Sequence, residues 1–258
     1  MPKYGYLVVE GPHDVEFVYR LLSPFKLKRI QFQRDLDPFF NELVPTKFPH
    51  KDDIQKRVPV PLFLQSTTHA IAIQSAGGDS RIVETIEESS GILPDQSLTS
   101  IGMLLDSDET RSPADRYKAI RDRLRSLAFV FPDDPGVVAS GLPRLGGFVL
   151  PDNVAQGTLE HVLLECARGV YPDLLHRATA HVDGAISDPS LDGDDKKELG
   201  KPAGRNKAIV ASMGAVLRPG RAIQASIQDN RWLRGAMLDL PPVKAVQTFL
   251  VELFEIES

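Results

Sequence analysis

SIGMLLDSDE, residues 100–109, reads as a buried β-strand that ends abruptly in carboxylates, with Ile101, Met103, Leu104 and Leu105 leading into Asp106, Asp108 and Glu109. YLVVEGPHD, residues 6–14, has the same build: an apolar run closes on Glu10, turns through Gly11 and Pro12, and continues with Val15, Val18, Leu21 and Leu22 at helical spacing. The unit repeats along the chain. HAIAIQSAGG (69–78) precedes a helix carrying Ile82, Val83 and Ile86 on one face. GGFVLP (146–151) leads through DNVAQG to a helix bearing Leu159, Val162, Leu163 and Cys166. Ser112 and Pro113 start a further helix, with Asp115 as capping partner and Tyr117, Ile120, Leu124 and Leu127 as its inward stripe. Strands alternating with helices predict an α/β fold whose mainly parallel sheet is covered on both faces.

Two stretches depart from that rhythm. Residues 35–66 carry Pro38, Pro45, Pro49, Pro59 and Pro61, which predicts an excursion of loops with at most a short helix. SDPSLDGDDKKELGKPAG (187–204) is polar enough to predict a mobile loop, followed by amphipathic helices near 207–217 and 243–254. The expected organisation is an α/β domain over 1–168, with the proline-rich insertion near 35–66, and a helical extension over 169–258 packed on it.

The 258 residues, 42% of them apolar, are enough to bury a substantial core. The amino end enters an apolar run without a basic leader, and no stretch approaches a membrane span, so a cytoplasmic location without membrane contact is expected. The single Cys166 excludes an internal disulfide and a cysteine-based zinc module, and the histidines lack zinc-site spacing. A net charge of −5 argues against a broadly basic nucleic-acid coat. It is compatible with clustered carboxylates that hold cations.

In an open α/β sheet the functional crevice lies beyond the carboxyl ends of the parallel strands, where Glu10, Asp106 and Asp108 all fall. In extended chain, Asp106 and Asp108 point the same way and Ser107 points elsewhere. Three carboxylates suit Mg²⁺, a hard ion that takes oxygen ligands, with Mn²⁺ as a substitute. Asp14 can cap its helix, and it can also help hold a second ion about 4 Å from the first. Glu160, in the first turn of a helix, can serve the helix dipole or ligate metal. Lys207 and Lys201 are candidates for steadying charge on a phosphoryl group. GGDSR (77–81) offers backbone amides to a phosphate, although a plain turn is the simpler expectation. Phe39, Phe40, Phe48 and Phe63 suit pinning a loop to the core better than stacking bases.

The EG dipeptide with a following acid at Asp14, then Asp106-x-Asp108, resembles the Toprim domain of topoisomerases, bacterial primases, OLD-family nucleases and recombination mediators, over about residues 4–150. That resemblance implies Mg²⁺ bound by Asp106 and Asp108, and Glu10 in general acid/base or metal duty. Asp14, Thr158 with Glu160, and a later lysine resemble the OLD-type nucleases more specifically. The run GG, DxD, LPDN, GTLE and Lys207-Ala208 is similar to small stand-alone bacterial Toprim proteins of unassigned activity. The function expected from the likeness is Mg²⁺-dependent cleavage of DNA or RNA, with Glu10 and Lys207 as catalytic residues and Glu10, Asp14, Asp106, Asp108 and Glu160 as ligands. The alternative is a non-catalytic or partner-activated Toprim module working with a separate ATPase. Homo-oligomerisation is left open.

Overall fold

The computed structural model of the chain describes residues 2–47, 52, 54, 60–93, 98–107 and 110–257. Among these residues six strands, β1 (Lys3–Val9), β2 (Lys28–Arg29), β3 (Leu62–Gln65), β4 (His69–Ser75), β5 (Leu98–Asp106) and β6 (Arg144–Leu150), form one sheet in the order β2-β3-β4-β1-β5-β6. β4, β1, β5 and β6 run parallel, while β3 is antiparallel to β4 and β2 to β3. This is the mixed α/β fold, mostly parallel, that alternating strands and helices require.

Side-chain alternation divides the sheet between two cores. Leu7, Val9, Ile71, Ile73, Leu104 and Phe148 face one side, where α1 (Pro12–Leu22), α4 (Leu159–Val170), α7 (Gly204–Leu217) and α9 (Pro241–Phe254) cover them. Tyr6, Val8, Ala72, Met103, Leu105 and Val149 face the other, under α2 (Ile82–Ile92) and α3 (Pro113–Ser126). The chain leaves β1 toward β4 and leaves β5 toward β6, in opposite directions across the sheet. The helix after β1 therefore lies on one face and the helix after β5 on the other, which opens a crevice beyond their carboxyl ends.

Helices from the last third of the chain share the core of the first. α9 buries Val243, Val246, Phe249, Leu250, Leu253 and Phe254, each burial being worth about 1.5–3 kcal/mol. It sits so close that a Cβ on Gly5 or Gly102 would collide with Phe254 or Leu253. Cys166 is buried in this core, and burial pushes its thiol up to about 12, so it packs as a small hydrophobe. No helix among the described residues is long and apolar enough to cross a membrane.

Both departures from the rhythm contain more structure than composition suggests. A 3₁₀ turn over Gln33–Asp35 leads into the proline-rich excursion, a second covers Pro38–Leu43, and β3 adds a strand between β2 and β4. Phe39 stacks on Tyr4 at 4.0 Å between centroids, and Phe40 packs near Phe63 at 5.7 Å. These aromatics pin the excursion to the sheet; Phe48, Pro49 and Pro59 lie outside the described residues. In the polar stretch, Asp192 accepts the amides of Asp194 and Asp195 and starts α6 (Gly193–Lys196), while Leu199 packs against the core. A short capped helix with one apolar anchor thus lies within the stretch expected to be a loop. α5 (Pro172–Ile186) and α8 (Ile223–Asp229) complete the extension.

Candidate functional site

Glu10 follows β1 and Asp106 ends β5, on neighbouring parallel strands at the crevice. The amide of Asp106 donates to Glu10 Oε1 at 3.0 Å, tying the two strand ends together. The amides of Gly77 and Gly78 donate to the Glu10 carbonyl at 3.1 and 3.0 Å. At φ of 74° and 137°, those two positions favour glycine. The GGDSR loop thus spends its amides on the backbone of Glu10 and has none of that pair left for a phosphate.

Asp14 lies one turn into α1, 7% exposed, its Oδ2 accepting the Gly11 amide at 2.8 Å. Asp106 Oδ1 accepts the Leu159 amide at 2.9 Å, so its carboxylate meets the amino end of α4. Glu160 in the first turn of that helix is 6% exposed and accepts the Thr158 hydroxyl at 2.7 Å. The β5–α4 junction is clamped by Ser107, whose amide and hydroxyl both donate to the Gly157 carbonyl while the Gly157 amide donates back to Oγ at 2.7 Å.

The buried acids feel each other. Burial first, then Glu10 and Glu160, push the Asp14 carboxyl up to about 7, the Gly11 amide offsetting part of the rise. Asp106 is raised well above the usual carboxylate range by burial, then by Asp14, Glu10 and Glu160. His13 is held below its ordinary value by burial, with Glu160 pulling it up and Lys207 pushing it down. Neither Asp14 nor Asp106 has an ion-pair partner among the described residues. Glu10 does, because Arg116 Nη2 donates to its Oε1 at 2.9 Å while Arg116 Nε holds the Asp106 carbonyl at 3.1 Å.

These groups open into a cleft of about 940 Å³ that also takes in Lys201 and Lys207 from the carboxyl-terminal extension. Lys207 sits in the first turn of α7 rather than at its first residue. Glu10, Asp14, Asp106 and Glu160 are thus brought together with both lysines, while Asp108 lies outside the described residues. Among the described residues, no three His, Cys, Asp or Glu side chains stand close enough together to hold an ion. The oxygens of Asp14, Asp106, Glu10 and Glu160 are nevertheless the donor chemistry that a hard cation takes.

Sequence reasoning missed Arg116 and the Ser107 clamp. Arg116, 4% exposed, precedes Ile120 by four residues and so shares the inward face of α3. An arginine on that stripe was the available signal, since arginine is seldom buried without a partner. Nothing local marked Ser107, whose partner Gly157 is fifty residues away.

Fold and site define an α/β protein with an acid-lined cleft at the switch point of a mostly parallel sheet. The chain belongs to a family described as protein of unknown function, DUF3226, whose model matches residues 4–255. No curated protein matches it. Among solved structures it is similar to the hypothetical protein PH0156 from Pyrococcus horikoshii OT3, at 15% identity over 97% of this chain and 95% of that one, with a TM-score of 0.49.

Proposed function

We propose that this chain is a Mg²⁺-dependent phosphodiesterase of the Toprim type that hydrolyses DNA or RNA, with Mn²⁺ able to substitute. The observation that carries this reading is the burial of Asp14 and Asp106 among Glu10 and Glu160, with no lysine or arginine paired to either aspartate among the described residues. Buried acids that have backbone amides but no cation at a strand-end crevice are what a divalent cation would relieve. Asp14, Asp106, Glu10 and Glu160 would hold it by drawing closer together than they stand in this structure, and the Toprim resemblance adds Asp108, which lies outside the described residues. Bound there, Mg²⁺ would polarise a phosphoryl oxygen and acidify water.

The chain's own groups do the rest. Arg116 and the Asp106 amide fix Glu10 Oε1, orienting that carboxylate toward the crevice as ligand and proton acceptor. Lys207 in the cleft offsets negative charge on the phosphoryl oxygens. In the reaction, a water oxygen bonds to phosphorus, the ester P–O bond breaks, and the leaving oxygen takes up a proton. The products are a phosphomonoester and a hydroxyl end.

The test is incubation of the full chain with labelled DNA and RNA in Mg²⁺ or Mn²⁺. Metal-dependent cleavage, lost in Glu10→Gln, supports the proposal; absence of cleavage, or parental cleavage by that variant, rejects it. Asp195 and Glu198 on the cleft wall favour a second reading in which an ATPase partner supplies the grip on nucleic acid. Cleavage that appears only when a co-purifying ATPase is added would select it.

A further inference from the structure

The cleft is larger than a metal site requires, and its far wall has a different chemistry. Lys207, Ala208 and Ala211 lie within about one turn of each other on α7 and share the face turned to the cleft. Ile223, at the start of α8, and Leu199 extend that wall with apolar surface. Ala208, Ala211 and Ile223 give this wall an apolar shelf beside Lys207. The volume of about 940 Å³ falls within the range of about 300–1,000 Å³ typical of clefts for small ligands.

Charge limits the occupant further. Among the described residues lining the cleft, Lys201 and Lys207 are the lysines and no arginine joins them. Lys201 is paired with Glu198, whereas Lys207 has no ion-pair partner among the described residues. Asp195 adds another negative charge to the wall. Gripping a duplex takes several lysine or arginine contacts to successive phosphates, and acids beside the path repel them. One phosphate beside Lys207, with one flat ring on the Ala208–Ala211–Ile223 shelf, matches what is present.

We propose that the cleft admits one nucleotide unit at a time, so that the substrate is the end of a single strand or a dinucleotide, and not an interior bond of a duplex. The inference rests on the phosphodiesterase reading of the carboxylates and adds the substrate class. The phosphate would lie between Lys207 and the acids, with the base on the shelf of α7 and α8.

The experiment measures binding of a dinucleotide, a short single strand and a duplex with sealed ends to the full chain in Mn²⁺, alongside Mn²⁺ binding by calorimetry. The dinucleotide and the single strand are expected to compete with each other, and the sealed duplex to bind at least about tenfold more weakly. Ala211→Trp, which fills the shelf, and Lys207→Ala, at an exposed position, should each weaken the dinucleotide about tenfold or more without changing Mn²⁺ affinity. Competition between strand and dinucleotide separates a strand-end enzyme from a dinucleotide enzyme by their relative affinities. If Mn²⁺ binds but the sealed duplex binds as well as the dinucleotide, the one-nucleotide cleft is wrong and the metal site stands. The one-nucleotide cleft is equally wrong if the dinucleotide fails to bind, or if both variants bind it like the parent. If the dinucleotide binds and Mn²⁺ does not, the cleft stands and the phosphodiesterase reading falls.

Discussion

Asp14 and Glu16 stand two residues apart on α1, both 7% exposed, in opposite company. Glu16 receives Arg29 from β2 at 3.0 Å, and the same guanidinium reaches Gln228 on α8 at 3.4 Å. Burial raises the Glu16 carboxyl, and Arg29 pulls it back. Asp14 has the Gly11 amide, and otherwise the acids Glu10 and Glu160 raising it further. Equal burial therefore means different things. Glu16, through Arg29, joins α1, β2 and α8 and is partly relieved by a cation, whereas Asp14 at the crevice has only the Gly11 amide against its cost. A natural chain keeps such a cost where function requires it.

The sharpest way to break that contrast is to neutralise each side and compare. Glu10→Gln should slow metal-dependent hydrolysis by about 10²–10³-fold, while Glu16→Gln changes the single-turnover rate by less than about twofold. Glutamine at position 10 keeps an acceptor for Arg116 Nη2, so the variant removes the carboxylate charge and retains the hydrogen bond. Equal losses in the two variants would erase the distinction.

Stability against pH gives the next largest effect. Asp14 titrates at about 7 in the fold against 3.8 as its ordinary value. A carboxyl raised by folding contributes stability that is full below the lower value and drains away as pH rises through the higher one. In EDTA, stability should fall as pH rises from about 4 to about 7 and level off above that, by on the order of 3 kcal/mol or about 10 °C in the midpoint of thermal unfolding. Asp14→Asn should flatten the slope, and so should saturating Mg²⁺ in the parent. A slope unchanged in Asp14→Asn would place its origin elsewhere.

Ser107→Ala comes third. It removes a buried hydroxyl that both donates to and accepts from Gly157, at a cost of about 1–2 kcal/mol by chemical denaturation. Loosening the junction that sets Glu160 beside Asp106 should also weaken Mn²⁺ binding by about tenfold. An effect on stability alone would make Ser107 a fold residue only.

The order of these effects follows what could be seen in the chain beforehand. Strand ends were legible because a buried strand must be apolar until it leaves the sheet, so Glu10 and Asp106 announced the edge where they stand. The parallel sheet and its covering helices followed from the same periodicity. Arg116 was legible only as a charge on an inward helical stripe, and Ser107 and Arg29 were not legible at all, because each acts through a partner away in sequence and no periodicity reports a polar pair. β2 and β3 were hidden by their shortness and the neighbouring prolines. The 187–204 stretch hid its short helix for a different reason. Its acids cap a turn, and one leucine is enough to anchor it.

The smallest expected effect tests the other half of the comparison. The Arg29 side chain is 40% exposed, so water and salt screen its pairing with Glu16 even though the Glu16 side chain is only 9% exposed. Glu16→Gln should therefore cost about 0.5–1 kcal/mol, less in high salt, and leave Mn²⁺ affinity unchanged. Arg29→Ala should cost more than Glu16→Gln, because it strands a buried carboxylate instead of removing it. That inequality is the informative measurement. If Arg29→Ala proved the milder change, Glu16 would tolerate burial without its partner, and the lack of a cation beside Asp14 would cease to distinguish the crevice from the rest of α1.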